Sequence, residues 1–416
     1  MLDIKFIREN ADKVKEAARN KNRKVDIDRL LEIDEVRRKL IGESENLRAE
    51  RNKLAKEAQK DPAARGKGRA LKEKIAHIEA ELKKAEEVFT SLMYQVPNVP
   101  DESVPVGPDD TFNVEVRKWG KIPEFSFTPK DHIELGKIHD LFDVERGAKI
   151  AGFRGYFLKN EAALLEMAVL SYTYKKLVSK GYIPLIAPSL VKDFTLFGNG
   201  QFPWGRDEVY HLEKDDLYLA GTAEVPVTAY FAGEVLSGEE LPKKFVAFSP
   251  CFRREAGSYG RDTKGLYRLH QFNKVEQVII NKNDYRDSLK LHEELLQNSE
   301  EVLRDLKLPY RVMLMSTGDM GEPQVKKYDI ETWMPSRKAY GETMSNSFMG
   351  DFQTRRLNIR YRNKKGEMEF AHSLNNTAIA SPRILIAILE NFQQEDGSIL
   401  IPKVLQDYIG TKKING

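Results

Sequence analysis

The sequence predicts an α+β protein in which a two-helix antiparallel arm precedes a larger domain built on a β-sheet flanked by helices. Three observations carry that expectation. A seven-residue apolar repeat runs through the first hundred residues, a Pro- and acid-rich stretch follows from Val96 to Asp110, and beyond it apolar, β-branched segments flank a charged, Gly-rich loop between Phe248 and Glu276.

At 416 residues with 41% hydrophobic content the chain is long enough for two or three domains and a sizeable core. Its single cysteine, Cys251, excludes an intramolecular disulfide, and one Cys with seven scattered His gives no zinc spacing, so no zinc is expected. There is no apolar run of about 18 residues and no charged-then-apolar leader, so the expectation is no membrane span, no signal peptide and a reducing cytoplasm.

In the arm, Ile33, Leu40, Leu47 and Leu54 recur every seven residues, and Leu71, Ile75, Ile78, Leu82, Ala85, Phe89 and Leu92 alternate spacings of four and three. Both patterns are those of long amphipathic helices. Antiparallel pairing sets Ile33 against Leu92, Leu40 against Ala85, Leu47 against Ile78 and Leu54 against Leu71. The pivot then falls near Pro62, where Asp61-Pro62 and the glycines at 66 and 68 supply breakers. About 26 residues a side give a rod of roughly 40 Å. Acids at 43, 50 and 57 occupy the second seam row of the first helix, leaving one good apolar row.

Charge marks the same segment. Val36 to Lys84 holds 15 Lys or Arg against eight acids, a balance of +7 in a chain whose net charge is +3, so the remainder sums to −4. Positive charge concentrated on an exposed rod suits phosphate neutralisation, although a coiled coil for dimerisation or spacing is the commoner use of such a pattern. The domain assignment is therefore an arm at 1–100, a linker at 101–111 and the larger domain at 112–416. Within the latter, 130–146 reads as a short helical region, 156–158 as a strand, 162–180 as a helix and 182–187 as a strand.

The stretch FSPCFRREAGSYGRDTKGLYRLHQFNKVE, Phe248 to Glu276, reads as a strand, a long loop and a return strand. Arg253, Arg254, Glu255, Arg261, Lys264 and Arg268 crowd it, and forked guanidiniums grip carboxylates and phosphates. On charge alone it is also an ordinary hairpin with a solvated loop. Its residue order resembles motif 2 of class II aminoacyl-tRNA synthetases, in detail that of seryl-tRNA synthetases. MLDIKFIREN with the basic hairpin resembles the tRNA-binding arm of that family, VPNVPDESVPVG its linker, and GYIPLIAPSLV, with Pro188, its motif 1.

The resemblance implies a class II catalytic domain on an antiparallel sheet, a homodimer joined through motif 1, and ATP-dependent ligation of L-serine to tRNA(Ser) through a seryl-adenylate. It leaves open whether tRNA(Sec) is also charged. Arg253 would hold the ATP α-phosphate and the serine carboxylate, Arg254 would belong to the same ATP-binding run, Glu255 would meet the adenine end and Phe272 would stack on adenine. Glu276 and Thr377 would face the serine hydroxyl. LYLAGTAEVPVTAYF carries Thr222, Ala223 and Glu224, the family's serine-binding triplet; the residues alone equally fit a helix N-terminus with Thr as cap. YGETMSNSFMGDFQTRR resembles the strand whose Glu, here Glu342, holds ATP-associated Mg²⁺, with Thr343, Met344 and Ser345 beside it. LNNTAIASPRILIAILENFQ resembles motif 3, whose Arg383 would meet the γ-phosphate.

Two segments depart from the usual bacterial pattern: Met344 and Phe348 stand in a stretch that is ordinarily serine-rich, and Asn376 to Pro382 replaces a Gly-rich turn. No GxxxxGK[ST] loop and no GxGxxG fingerprint is present, which removes two rival nucleotide sites. Two other functional classes fit less well: activation of an amino acid for a non-tRNA acceptor, and a non-catalytic tRNA-binding paralogue.

Overall fold

The computed structural model describes residues 1–57, 62–256 and 264–415, which divide into two compact units, Met1–Pro97 and Asn98–Gly416. In the first, α1 (Ile4–Glu9) and α2 (Ala11–Asn20) precede α3 (Ile27–Glu57) and α4 (Pro62–Gln95). Asp3 opens α1 by accepting the Lys5 N–H at 2.7 Å. Buried Asp34 on α3 ties α1 down through Arg8 at 3.4 Å and is also met by Arg38 at 3.2 Å.

The long helices run antiparallel in the expected register. Arg48 meets Glu79 at 2.6 Å, Arg37 meets Glu86 at 3.7 Å, and the Arg37 guanidinium lies 4.9 Å from the Phe89 ring centre. Ile33, Leu71, Ile75 and Ala85 are buried, but Leu40, Leu47 and Leu54 are only half-buried, as a single apolar row dictates.

The turn itself differs from expectation. Helix α4 begins at Pro62 and runs through Gly66 and Gly68, so these glycines belong to the helix rather than to the connection. Proline at a first helical position lacks only an N–H that would have no partner there, and a glycine inside a helix costs about 1 kcal/mol, which flanking helix formers absorb. Asp61 lies outside the described residues.

The second unit is organised by an eight-stranded sheet: β1 (Val114–Trp119), β2 (Ile183–Ile186), β3 (Lys243–Phe252), β4 (Gln271–Asn281), β5 (Tyr310–Leu314), β6 (Lys326–Met334), β7 (Ala339–Gly350) and β8 (His372–Ala380). Their spatial order is β1-β5-β6-β7-β8-β4-β3-β2. Every neighbouring pair is antiparallel except β2 with β3. Helices α5 (Asn160–Ser179), α6 (Tyr285–Asp305) and α7 (Arg383–Asn391) share one continuous core with these strands.

Alternation along β4 decides what the sheet offers to each side. Val275 and Ile279 join the helical core and Gln277 donates to the Leu295 carbonyl of α6 at 3.2 Å, so Phe272, Lys274 and Glu276 face away. The stretch expected as a linker is fastened to this unit: the Asp101 N–H donates to the Val325 carbonyl at 2.8 Å and the Thr317 N–H to the Pro105 carbonyl at 3.0 Å, and just before it the Asn98 amide, expected in the arm but belonging to this unit, donates to the Pro323 and Met349 carbonyls at 3.0 and 2.8 Å. Such bonds satisfy backbone that a free linker would leave to water.

Candidate active site

Two β-bulges aim the polar residues. Between β4 and β8 the register steps from Val275 opposite Ile379 to Glu276 opposite Thr377, so Ala378 is an extra residue and Thr377 turns towards Glu276. Between β6 and β7 it steps from Ile330 opposite Met344 to Glu331 opposite Glu342, making Thr343 the extra residue. Thr343 then bonds the Thr332 hydroxyl at 2.7 Å on the core side, Met344 is buried in that core, and Glu342 is released to the other side.

The resulting cavity, open to solvent, has a volume of about 100 Å³ and is bordered by Arg253, Glu255, Phe272, Lys274, Glu342, Thr343, Met344, Ser345, Thr377 and Arg383. At one end Arg383 heads α7. Its Nε donates to the Tyr267 carbonyl at 2.9 Å, and one terminal nitrogen donates to the Glu342 carbonyl and carboxylate at 3.0 and 3.1 Å. Its guanidinium stacks 4.4 Å from the Tyr267 ring centre, where Arg337 also lies at 4.2 Å. Burial pushes the Glu342 carboxyl up, but Arg383 and Lys327 outweigh it and hold the group below the usual carboxylate range. Behind Glu342, Lys327 pairs with Asp329 at 3.0 Å, and burial pushes Asp329 up to about 7.

At the other end the base of the loop is closed by the Arg253 N–H donating to the His270 carbonyl at 2.9 Å. Arg253 is exposed, its Nε donates to the Gly221 carbonyl at 3.3 Å, and its guanidinium lies 5.2 Å from the Phe272 ring centre. Glu255 has φ +54°, a conformation that costs a non-glycine residue on the order of 1 kcal/mol, and its carboxylate is held by Arg268 at 2.6 Å. Arg254 is exposed and does not border the cavity.

The floor is a compact polar cluster. Lys274 Nζ meets Glu276 Oε2 at 2.5 Å, and the Thr377 hydroxyl sits 3.3 Å from both Lys274 Nζ and Glu276 Oε2. Thr222 Oγ1 approaches the same carboxylate oxygen at a long 3.5 Å and also accepts the Glu224 N–H at 3.2 Å, but the residue that caps the helix beginning at Glu224 is Ala223, so Thr222 is not its N-cap. Glu224 turns away, accepting from Asn199 and Gln353 at 2.9 and 2.8 Å. Its pKa is raised first by burial and then by the charge of Glu276. Ala223 packs in a small apolar cluster with Val227, Phe245 and Val278 and does not reach the cavity.

Thus the structure gathers Arg253, Glu255, Phe272, Glu342, Thr343, Met344, Ser345, Thr377 and Arg383 around one cavity, with Glu276 and Thr222 beside it through their bonds to Thr377 and to each other. Met344 and Phe348 have 1% and 0% exposure and pack into the helix-side core; of the two departures from a serine-rich strand, Met344 also borders the cavity and Phe348 does not. Sequence reasoning missed Lys274 and Tyr267. Lys274 was findable, because it stands two positions before Glu276 on the same strand face. Arg261 lies outside the described residues.

Residues 1–100 match the model of the seryl-tRNA synthetase N-terminal domain, and residues 208–392 match that of the tRNA synthetase class II core domain (G, H, P, S and T). The whole chain is 48% identical to the serine–tRNA ligase of Deinococcus radiodurans, of which it covers 99%, and 45% identical to that of Dictyoglomus turgidum, again covering 99%. The crystal structure of seryl-tRNA synthetase from Pyrococcus horikoshii complexed with ATP superposes with a TM-score of 0.92 at 38% identity, over 100% of this chain and 99% of that one.

Proposed function

The chain belongs to the seryl-tRNA synthetase family, and on that premise we propose that this cavity activates L-serine with ATP and hands it to tRNA. The protein catalyses ATP-dependent serylation of tRNA. The observation that carries the site assignment is the convergence of Arg253, Arg383 and Glu342 on one cavity whose floor is the Lys274–Glu276–Thr377 cluster.

In the first step a serine carboxylate oxygen bonds to the ATP α-phosphorus while the bond to pyrophosphate breaks. No proton moves, so orientation and charge stabilisation are what the protein must supply. Arg253 meets the carboxylate and α-phosphate, Arg383 the outer phosphates, and Phe272, with Glu255 beside it, receives the adenine. Glu276 and Thr377 take the serine hydroxyl. Thr222 lies on the ammonium side, while Glu224, held by Asn199 and Gln353, stays behind it. In the second step the 3′-terminal ribose hydroxyl of tRNA attacks the carbonyl and AMP departs.

Ionised, half-exposed Glu342 with Ser345 nearby suits Mg²⁺, which is held through one or two carboxylates plus substrate phosphates rather than by a protein cage. The ion would neutralise triphosphate charge. Among the described residues no group of three His, Cys, Asp or Glu is placed to hold a metal by itself.

The basic arm supports tRNA(Ser) as partner, with tRNA(Sec) a second acceptor to be assayed alongside it. The exposed apolar side chains of Phe153, Met167, Ile183 and Ile186, at 61%, 66%, 44% and 83% exposure, support a homodimer closed over the motif 1 face. No helix among the described residues is long and apolar enough to cross a membrane, and the cytoplasm, where tRNA is charged, is the proposed location. Serine-dependent ATP–pyrophosphate exchange followed by charging of total tRNA tests the assignment. Lack of exchange with serine would sink it.

A further inference from the structure

Glu390, in the last turn of α7, is fully buried, yet its carboxylate has four donors. They are the His132 N–H at 3.0 Å, His132 Nδ1 at 3.1 Å, the Ser336 N–H at 3.0 Å and the Ser336 hydroxyl at 2.9 Å. The other ring nitrogen of His132 faces the Leu266 N–H at 3.2 Å. A backbone N–H can only donate, so Nε2 carries the lone pair and Nδ1 carries the proton given to Glu390. The two bonds together fix one neutral tautomer.

The chain at this point has no slack. Gly265 has φ +69°, and a Cβ there would sit 2.1 Å from His132 Nε2. The next two residues after Leu266 are cavity wall: the Tyr267 carbonyl receives Arg383 and its ring lies under that guanidinium, while Arg268 holds Glu255.

The geometry points to His132 as a positioning residue for the nucleotide: oriented by Glu390, it pins the returning loop at Leu266 so that Tyr267 and Arg268 hold Arg383 and Glu255 in place. This rests on reading the cavity as the ATP site. His132 touches neither substrate nor reacting atoms and acts only through the loop.

Two amide variants separate this role from simple satisfaction of a buried carboxylate. His132→Asn keeps a donor near the place of Nδ1 and withdraws the acceptor from Leu266, whereas His132→Gln sets its amide oxygen near the place of Nε2. In serine-dependent pyrophosphate exchange, Asn is expected to raise KM for ATP roughly tenfold, the worth of one hydrogen bond, with KM for serine unchanged; Gln should restore most of it. The reverse order, or Asn matching the parent, overturns the inference. If the Asn variant does not accumulate folded, Gly265→Ala, which thrusts a methyl at Nε2, should raise KM for ATP in the same way, and an unchanged value overturns it. A parent protein without serine-dependent exchange would instead refute the functional reading itself.

Discussion

Along α3 the leucines at 40, 47 and 54 stay half-buried, whereas along β4 every side chain from Val275 to Ile280 is sealed from water. The arm's long helices bury apolar surface mainly against each other, through one row, and hold register with exposed ion pairs such as Arg48–Glu79. Strand β4 has a strand on each side and helix α6 packed over it, so its register is fixed by burial and by bonds such as Gln277 to Asn376 at 2.7 Å. The arm is thus a presenter of surface charge, tolerant of change at single positions, and the sheet unit a rigid frame in which one misplaced side chain disturbs the cavity.

The sharpest way to break that contrast is to remove the arm. Deletion of 36–84 should abolish tRNA charging while leaving serine-dependent pyrophosphate exchange close to the parent rate; equal loss of both would show that the two regions do not divide the work. Neutralising several basic residues along the arm should flatten the salt dependence of tRNA binding, its logarithmic slope falling by about one for each phosphate no longer neutralised.

Within the frame, Glu276→Ala should collapse the rate of serine activation together with its preference over alanine. Sites built to bond a hydroxyl reject its absence by on the order of 10⁴-fold, because buried polar groups are then left unpaired. The parent should use serine, then threonine, then alanine, since threonine is excluded only by its extra methyl. Exchange assays with the three amino acids decide the order, and parity of alanine with serine would displace Glu276 and Thr377 from the pocket.

Packing gives the next effect. Phe348→Ala in the sheet core should cost about 3–5 kcal/mol, and Leu47→Ala on the arm much less, since its side chain is already half in water. Urea unfolding compares the two. Arg48→Ala should cost under about 1 kcal/mol, because exposed ion pairs contribute little.

Acid should single out the sheet unit. Burial holds the His292 imidazole down to about 4 from its ordinary 6.5, and His372 is lowered by burial as well. Between those values the unfolded chain binds protons that the folded one refuses, so stability falls as pH drops. For His292 the loss between pH 7 and pH 5 should be on the order of 2 kcal/mol. His292→Leu should flatten that part of the pH profile, and a slope unchanged in the variant would assign the acid loss elsewhere.

What was legible in the residues is what a single segment carries in its own periodicity. The seven-residue repeat of Ile33 to Leu54 specified an arm and, through the mirrored positions of Leu71 to Leu92, its register. The order of residues from Arg253 to Glu276 marked a loop between paired strands. Apolar and β-branched residues on both sides of that loop marked the strands themselves, whatever surrounds them.

What the sequence by itself did not determine depends on partners far away in the chain. Glycines 66 and 68 signal a turn locally, yet the helix continues through them. Glu224 reads as a ligand beside Thr222, yet it faces Asn199 and Gln353, the latter 129 positions away. The extra residues Thr343 and Ala378 carry no local mark, and only the register against β6 and β4 makes them bulges that turn Glu342 outwards and set Thr377 against Glu276. Arg383 and Glu342 meet because strand order sets β7 beside β8, which leads into α7. Periodicity is a property of the backbone's own geometry and is written locally, whereas hydrogen-bond partners are chosen by which buried groups would otherwise be left unpaired, and that choice exists only once the strands have come together.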